Sequence, residues 1–413
     1  MSTSPVSSGP ELTGSTPPPV RRDPVVLTWL VAVAVSGFGD SVWAVALAWT
    51  AAHTLAPVVA GVVLGAEMLP QAVLVLLGGV MADRLDPRRL LVGGQVARAA
   101  VLVAGAMAWS SGIHGAPILL AIAICFGVSS GLTIPAGNTL VRQLVAGDDL
   151  GTVMGWNQIS GRVTRLLGAP TGGILVAWGG PVAAMLVDAA TFVVIAAVLV
   201  IVVRPRFRLP RAAHDRWRDS FADGMSYLRH HETAKLFVVG LTALNVFVTP
   251  VAGLGVALRV DGSGWGPHWL GIADASLAAG AIVGSLVGIR WQPVHGTAAG
   301  FRILILQGVA IACVGLGWQA TLVASMALLG FTAGAASVWL SAAFIRVIEP
   351  SHLGRVSSVT SLGDMTLMPL SVPVLGLVAG GAGVLTATVV FGASMSVLCF
   401  WFATRRTLRT LVA

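Results

Sequence analysis

Charged residues are scarce in this sequence. They make up 10% of the 413 residues, whereas an average soluble domain has about 25%. So few charges cannot cover a water-exposed surface, which excludes a soluble globular protein. Hydrophobic residues make up 56% of the chain instead, and apolar stretches of roughly 20 residues recur along it, each long enough to cross a bilayer as one helix. The composition predicts a polytopic membrane protein.

Lysine is almost absent. Lys235 is the only one, and Ala234 precedes it. A phosphate-binding loop needs Gly-Lys-Ser/Thr, so a Walker-type ATPase is excluded and any pumping has to be driven by an ion gradient. We therefore expect no cofactor, with an ion gradient as the energy source.

Cysteine and catalytic motifs are also sparse. Cys125, Cys313 and Cys399 lie in apolar runs at no ligand spacing, which indicates packing residues and neither a disulfide framework nor a metal site. The stretch "GVSSG" at 127–131 fits G-x-S-x-G, but it lies inside a predicted membrane helix and not at a strand–helix turn. The sequence predicts no enzyme activity and no bound metal.

The chain divides into tails, two helical halves and a connection. Residues 1–24 are rich in Ser, Pro and Thr without an apolar signal-peptide core, which predicts a disordered cytoplasmic tail. A six-helix half at 25–203, a basic connection at 204–233, a second six-helix half at 234–403 and a tail at 404–413 follow. The predicted spans are 25–50, 57–81, 90–111, 115–141, 153–178, 181–203, 234–258, 267–290, 300–319, 321–346, 353–379 and 382–403.

The positive charges are distributed in agreement with these predicted spans. The net charge is +8, and the Lys and Arg residues cluster in the even-numbered connections and at both termini, while the odd-numbered connections hold only Arg259. The positive-inside rule then predicts that both termini are cytoplasmic, in a plasma membrane that the Arg-, Ala-, Val- and Gly-rich composition suggests is bacterial. We interpret the basic charge as a signal of membrane topology that also provides some contact with anionic lipid. It does not indicate nucleic-acid binding. We expect a monomer whose partners are lipid and a small-molecule substrate.

The two halves repeat each other. A shift of 203 residues aligns glycines and prolines without a gap over helices four and five against ten and eleven. The pairs include Gly127 with Gly330, Gly131 with Gly334, Pro170 with Pro373, and Gly173 with Gly376. Six helices separate the partners, so they run in the same direction. The sequence predicts an all-α fold of two parallel six-helix halves.

The cytoplasmic connection after the second helix carries a recognisable signature. Gly79-x-x-x-Asp83-Arg84-x-x-x-Arg88-Arg89 resembles the major facilitator signature G-x-x-x-D-R-x-G-R-R. Asp86-Pro87 replaces the usual second glycine, a variant similar to that of the drug–proton antiporter branch, which includes macrolide and siderophore exporters. The resemblance implies that Asp83 locks the cytoplasmic side shut, with helix eleven as its partner, and that the arginines fix the orientation.

Three further stretches resemble the same branch. Gly168, Pro170, Gly172 and Gly173 in "LLGAPTGG" are similar to the antiporter signature G-P-x-x-G-G, with the proline one place late. "SGFGDSVW" resembles the S-x-x-G-D segment of helix one, and "GMSYLRHH" resembles G-x-x-Y-x-x-x-H before helix seven. Helix four lacks the membrane-embedded arginine that many proton-coupled relatives carry.

Several ionisable residues are predicted at membrane depth, where they are costly. Asp40 and Glu67 lie roughly 20 Å from the cytoplasmic ends of adjoining helices. Because carboxylates that share a low-dielectric site oppose each other's ionisation, this pair is a candidate proton-coupling or substrate site. Asp40 could instead form a structural ion pair with Arg162 or Arg165.

The other buried charges are assigned less central roles. Asp188 is expected to make a structural helix bond, Arg98 is expected to snorkel toward the cytoplasm, and Asp274 and Asp364 are weaker coupling candidates.

The excess of acids over arginines within the spans favours cationic or amphiphilic cargo. The first hypothesis is an exporter of hydrophobic cationic compounds in exchange for protons. The alternatives are a coupled importer of a small metabolite and a transporter-like sensor or assembly partner.

Overall fold

A computed structural model describes residues 18–75, 86–207, 217–349 and 352–405. Within these ranges, eleven helices are long and apolar enough to cross a membrane. One of them, Gly147–Ile201, has 55 residues and breaks at Gly180, whose φ of 64° and ψ of −168° are not helical. At about 1.5 Å per residue it is too long for one crossing, so it provides two spans. The described residues therefore provide twelve spans, as predicted.

We number the spanning helices α1 to α12. The break at Gly180 separates α5 (147–179) from α6 (181–201). The others are α1 Pro24–Thr54, α2 Pro57–Val75, α3 Pro87–Ser110, α4 Ala116–Leu144, α7 Glu232–Gly262, α8 His268–Arg290, α9 Gly296–Val314, α10 Gln319–Val347, α11 Leu353–Ala382 and α12 Val384–Thr404. We call the side on which α1 begins and α12 ends the terminus side, and the opposite side the far side.

Helix α1 begins with a strong cap. Asp23 accepts hydrogen bonds from the backbone N–H groups of Val25 and Val26 at 3.0 and 3.4 Å, and Pro24 at the first helical position has the required φ without losing a useful donor. The Asp23 side chain, only 2% exposed, also pairs with Arg206 beyond the end of α6. This ion pair ties the first and last helices of the N-terminal half together.

Glycines of the repeat make equivalent contacts in the two halves. Gly127 and Gly131 of α4 lie against the backbone of α2, next to Glu67 and Gln71. Gly330 and Gly334 of α10 lie in the same way against α8, next to Leu277 and Ala281. Close backbone approach requires a small residue at these positions, so the aligned glycines mark the same helix pair in each half.

The two halves meet through α5 with α8 and α2 with α11. A Cβ added to Gly173 of α5 would lie 2.8 Å from the carbonyl oxygen of Pro267, and one added to Gly376 of α11 would overlap that of Pro57. Gly173 and Gly376 are partners in the repeat. The prolines that they approach lie at equivalent places, since Pro267 immediately precedes α8 and Pro57 is the first residue of α2. The fold is thus two parallel six-helix halves with matching interfaces.

In the described part of the connection between the halves, the helix Trp217–His230 packs on the C-terminal half. Asp223 accepts a hydrogen bond from Arg355 of α11 at 2.7 Å. Tyr227 stacks between His231 and His352, with ring centroids 4.0 and 4.5 Å away. The Gly224-x-x-Tyr227-x-x-x-His231 segment is therefore a docking element for this half.

Candidate functional site

A cavity of about 920 Å³ lies mainly within the N-terminal half. Its wall includes residues near the terminus-side ends of α1, α3, α4, α5 and α6, namely Trp29, Leu91, Val141, Met154 and Leu199. It reaches inward to Asp40 and Glu67. On the far side the halves are in contact, and His53 at the end of α1 pairs with Asp261 at the end of α7 at 2.6 Å. The cavity therefore runs from the terminus side to the middle of the bundle.

Arg98 of α3 is at the inner end of this cavity. Its guanidinium lies 3.9 Å from the Asp40 carboxylate and donates a hydrogen bond to the Ser130 hydroxyl of α4. The rings of Phe126 and Phe192 lie 5.2 and 5.5 Å from it. Arg98 is only 8% exposed, so the expectation that it snorkels was wrong. Its charge is compensated inside the bundle by groups from α1, α4 and α6. The sequence of α3 alone does not show which groups from other helices surround Arg98.

Glu67 occupies an irregular turn of α2. The regular helix ends at Ala66 and resumes at 68, because Pro70 has no N–H to donate to the Ala66 carbonyl and its ring crowds that turn. The Glu67 carbonyl packs against Gly127, while its side chain lines the cavity. There it interacts electrostatically with Arg98 and Asp40, so the structure brings the two sequence candidates, Asp40 and Glu67, together.

Asp188 of α6 joins the same group. It is 0% exposed, and its carboxylate lies against the backbone of Gly39 in α1. The Thr191 hydroxyl lies 3.2 Å from the Asp188 carboxylate, a contact within α6 that fits the expected helix bond. The same hydroxyl lies 2.8 Å from the Asp188 backbone carbonyl. Asp188 also interacts with Asp40, Glu67 and Arg98. We call these four residues, Asp40, Glu67, Asp188 and Arg98, the charge cluster.

The remaining ionisable candidates lie elsewhere. Arg165 lines the cavity and interacts across the half boundary with Asp274 of α8, whereas Arg162 is exposed and away from the cavity wall. Among the described ion pairs, Asp40 is joined to Arg98 and to neither of the two arginines expected for it. Asp364 lies in the C-terminal half, where it accepts a hydrogen bond from Asn245 at 3.2 Å.

The signature after α2 is only partly described. Gly79, Asp83 and Arg84 lie outside the described residues. Arg88 donates from Nε to the Leu199 carbonyl at 2.5 Å and also bonds the Val200 carbonyl, so it caps the terminus-side end of α6 within its own half. The exposed Arg89 lies 3.9 Å from Asp86. Asp86 caps α3 by accepting from the Arg88 N–H at 2.9 Å, which explains the Asp-Pro variant.

The glycines of the antiporter-like stretch pack α5 closely against two neighbouring helices, α1 and α8. Gly168 and Gly172 approach the backbone of Phe38 and Val42 in α1, and Gly173 approaches Pro267. On the facing helix, Gly271 of α8 lies against Ala169 and Pro170. These glycines let α5 pack closely on its own half and on the other half at once.

Comparison with known proteins agrees with this architecture. The family model described as Major Facilitator Superfamily matches residues 29–318. Macrolide efflux protein A of Enterococcus faecalis is 24% identical over 321 residues, which cover 74% of this chain and 95% of that protein. Its namesake in Streptococcus pyogenes is 23% identical over 331 residues, or 76% and 79% of the two chains.

Solved structures show the same fold. The nucleoside transporter NupG superposes with a TM-score of 0.72 at 15% identity, covering 92% of this chain and 98% of NupG. A bacterial homologue of the iron transporter ferroportin, in an inward-facing state, gives a TM-score of 0.69 at 15% identity, with 92% and 99% coverage. Twelve spans, matching halves and the family match over most of the chain lead to one conclusion: this multi-pass membrane protein belongs to the Major Facilitator Superfamily of transporters.

Proposed function

We propose that this transporter exports hydrophobic, cationic small molecules from the cytoplasm in exchange for protons. The observation that carries the proposal is the charge cluster at the inner end of the cavity, where Asp40 and Glu67 face Arg98. Ionisable groups at this depth are expensive and are kept for function. The proposal requires no cofactor beyond the proton gradient.

Coupling follows from competition for the same carboxylates. Both Asp40 and Glu67 line the cavity, so a cation that enters lies beside them. Its positive charge favours the ionised form of both, so a proton that either carboxyl group holds is driven off, and protons that return from the other side displace the cation. Protons and cargo then use the site alternately, which is the requirement for exchange.

The cavity wall favours amphiphilic cations. It presents three acids, Asp40, Glu67 and Asp274, against two arginines, and it includes the aromatic side chains of Trp29, Trp43 and Phe126. Aromatic faces and carboxylates together bind an apolar body that carries a positive charge. The macrolide efflux proteins among its relatives favour export over the alternative of uptake.

Efflux from pump-deficient bacteria tests the proposal. Cells that express the protein are loaded with ethidium or with a radiolabelled macrolide, and efflux is followed with and without a protonophore. We expect protonophore-sensitive efflux that Glu67→Gln abolishes and that Glu232→Gln, an exposed carboxylate at the start of α7, retains. Efflux that the protonophore does not affect would refute proton coupling, and accumulation above the level of empty cells would refute export.

A further inference from the structure

We propose that Asp188 is a second proton-binding residue and that the charge cluster holds two protons when the cavity is empty, one on Glu67 and one on Asp188. This inference rests on the proposed function, since it concerns the same cluster. It assigns Asp188 a role beyond the helix bond expected from the sequence.

The surroundings of Asp188 suit a neutral carboxyl group. The residue is 0% exposed, and an ionised carboxylate at such a position needs several donors. The nearest hydroxyl, that of Thr191, is shared with the Asp188 carbonyl, to which it lies closer. The second carboxyl oxygen, Oδ2, is buried and has no hydrogen-bond partner among the described residues.

The balance of charge in the cluster leads to the same result. The charged groups that face Asp188 come from three neighbouring helices: Asp40 of α1, Glu67 of α2 and Arg98 of α3. One guanidinium is therefore present for three carboxyl groups, and full ionisation would leave two negative charges without a cation in the cluster. Neighbouring carboxylates oppose each other's ionisation, and this favours protonation of two of the three carboxyl groups.

Asp40 is the carboxylate that remains ionised. It is the group that forms the ion pair with Arg98, at 3.9 Å, and 43% of its side chain is accessible from the cavity. Glu67 and Asp188 have no such partner among the described ion pairs, which leaves them as the two protonated groups.

Asp40 also gives Asp188 a route to water. Asp188 is not part of the cavity wall, but its carboxyl group lies against Gly39, the residue that precedes Asp40. A proton from cavity water binds Asp40, and its O–H bond then breaks as an O–H bond forms on Asp188. Asp40 is left as the carboxylate that pairs with Arg98. The reverse transfer returns the proton to water on the other side, so that each cycle moves two protons.

Infrared difference spectroscopy tests the inference without any substrate. The carboxylic C=O stretch of the purified protein at neutral pH is compared for wild type, Asp188→Asn, Glu67→Gln and the double variant. We expect each single variant to lose one carboxylic band and the double variant to lose both, while contributions from Asp274 and Asp364 cancel in the differences. Loss of a carboxylate band in Asp188→Asn, with the carboxylic region unchanged, would overturn the inference, because Asp188 would then be ionised.

Thr191→Val serves as the matched control and as a second test if Asp188→Asn does not fold. It removes the neighbouring hydroxyl and keeps the carboxyl group, so the Asp188 band should shift in frequency and remain. A carboxylic region identical to that of wild type would count against a protonated Asp188. If Asp188→Asn loses its band while Glu67→Gln changes nothing, the two-proton state is overturned together with the role proposed for Glu67, and only the proton site at Asp188 is retained.

Discussion

Arg98 brings three carboxyl groups on three helices into one electrostatic site. Its guanidinium contacts Asp40 and Ser130 and lies over two phenylalanine rings. Arginine is planar and always charged, so the buried Arg98 sets how many of the neighbouring carboxyl groups can be ionised. In the proposed function, the coupling chemistry of the cavity depends on this one charge.

We expect Arg98→Gln to lower the initial rate of ethidium efflux by roughly tenfold or more, because removing one partner of a buried pair leaves the other charge uncompensated. Arg98→Lys should restore part of the rate, since it keeps the charge but loses the planar fork. Efflux is measured at matched expression, with thermal unfolding of the purified variants as the folding control. An Arg98→Gln rate equal to that of wild type would remove Arg98 from the mechanism.

Asp23 provides a pH-dependent contribution to stability outside the membrane spans. Burial disfavours its ionised form, but the hydrogen bond and charge of Arg206 and the backbone N–H groups of Val26 and Val25 outweigh this effect and hold the pKa of Asp23 below its usual value. The stabilisation is therefore complete above the unfolded pKa of about 4 and is lost as the pH falls through the lower folded value.

Asp23→Asn should consequently lower the unfolding temperature at neutral pH, by an amount that corresponds to about 2 kcal/mol for a charged hydrogen-bonded pair. The difference between wild type and variant should shrink below about pH 4. Thermal unfolding over a pH series measures both effects. A difference that stays constant as the pH falls would show that ionisation of Asp23 is not responsible.

Residue depth was predictable, but residue partners were not. The positions of Asp40 and Glu67 follow from the rise of a helix, and both do lie on the cavity wall. The partner of Asp40 depends on how the helices are rotated and packed. Arg98 was therefore given the wrong environment, and the ion pair described for Asp40 is with Arg98 and not with Arg162 or Arg165. A search for arginines at the same depth on every helix would have included Arg98.

At the scale of elements, small residues and prolines determine how the helices pack. Gly173 lets α5 approach the start of α8, where an added Cβ would lie 2.8 Å from the Pro267 carbonyl and 2.9 Å from the His268 Cα. Pro70 breaks α2 beside Glu67, and Gly180 separates α5 from α6. The sequence repeat identified the glycines correctly, since glycine and proline constrain packing more strongly than interchangeable apolar residues do. The contacts themselves required the structure.

Gly173→Val should separate α5 from α8 on the far side, because the added side chain would meet backbone atoms of α8 and a shift of either backbone costs free energy. Overpacking of this kind costs roughly 1–3 kcal/mol, and we expect a lower unfolding temperature and slower efflux. Gly155→Ala is the control on the same helix, as nothing lies within 4 Å of its added Cβ and alanine favours a helix. Equal unfolding temperatures for Gly173→Val and Gly155→Ala would contradict the close approach of these helices.

At the scale of the whole molecule, the halves are closed on one side and a cavity opens toward the other. On the predicted topology the terminus side is cytoplasmic and the cavity faces inward. The His53–Asp261 pair joins α1 to α7 across the far side. Because the two halves contribute one residue each, this contact has to break when the protein opens outward.

Asp261→Asn should therefore increase the time that the protein spends open to the outside. The measurement is labelling of a cysteine at Leu47, which lines the cavity, by an impermeant maleimide in a background without the native cysteines. We expect faster labelling in Asp261→Asn than in the parent, and an unchanged rate in the control Asp148→Asn, an exposed carboxylate on the terminus side. Equal rates in all three proteins would exclude the His53–Asp261 pair as a closing contact.

The global architecture was the most predictable feature. Twelve spans and two parallel halves followed from hydrophobic runs, charge placement and the repeat, and the family followed from the resemblance of the signature after α2. The restriction of the charge cluster to the N-terminal half was not predictable, because the repeat aligns only part of each half. In the structure, Leu277 occupies on α8 the place that Glu67 has on α2.

Transport in proteoliposomes tests proton-coupled export most directly. Vesicles that contain the purified protein are given an acidic interior, and ethidium uptake is compared with that in vesicles of equal internal pH, with protein-free liposomes as the control for passive trapping. We expect the gradient to drive uptake well above the liposome control in wild type, and Glu67→Gln to show no response to the gradient. Ethidium uptake that is the same with and without the gradient in wild type, or an equal response in Glu67→Gln, would contradict the account.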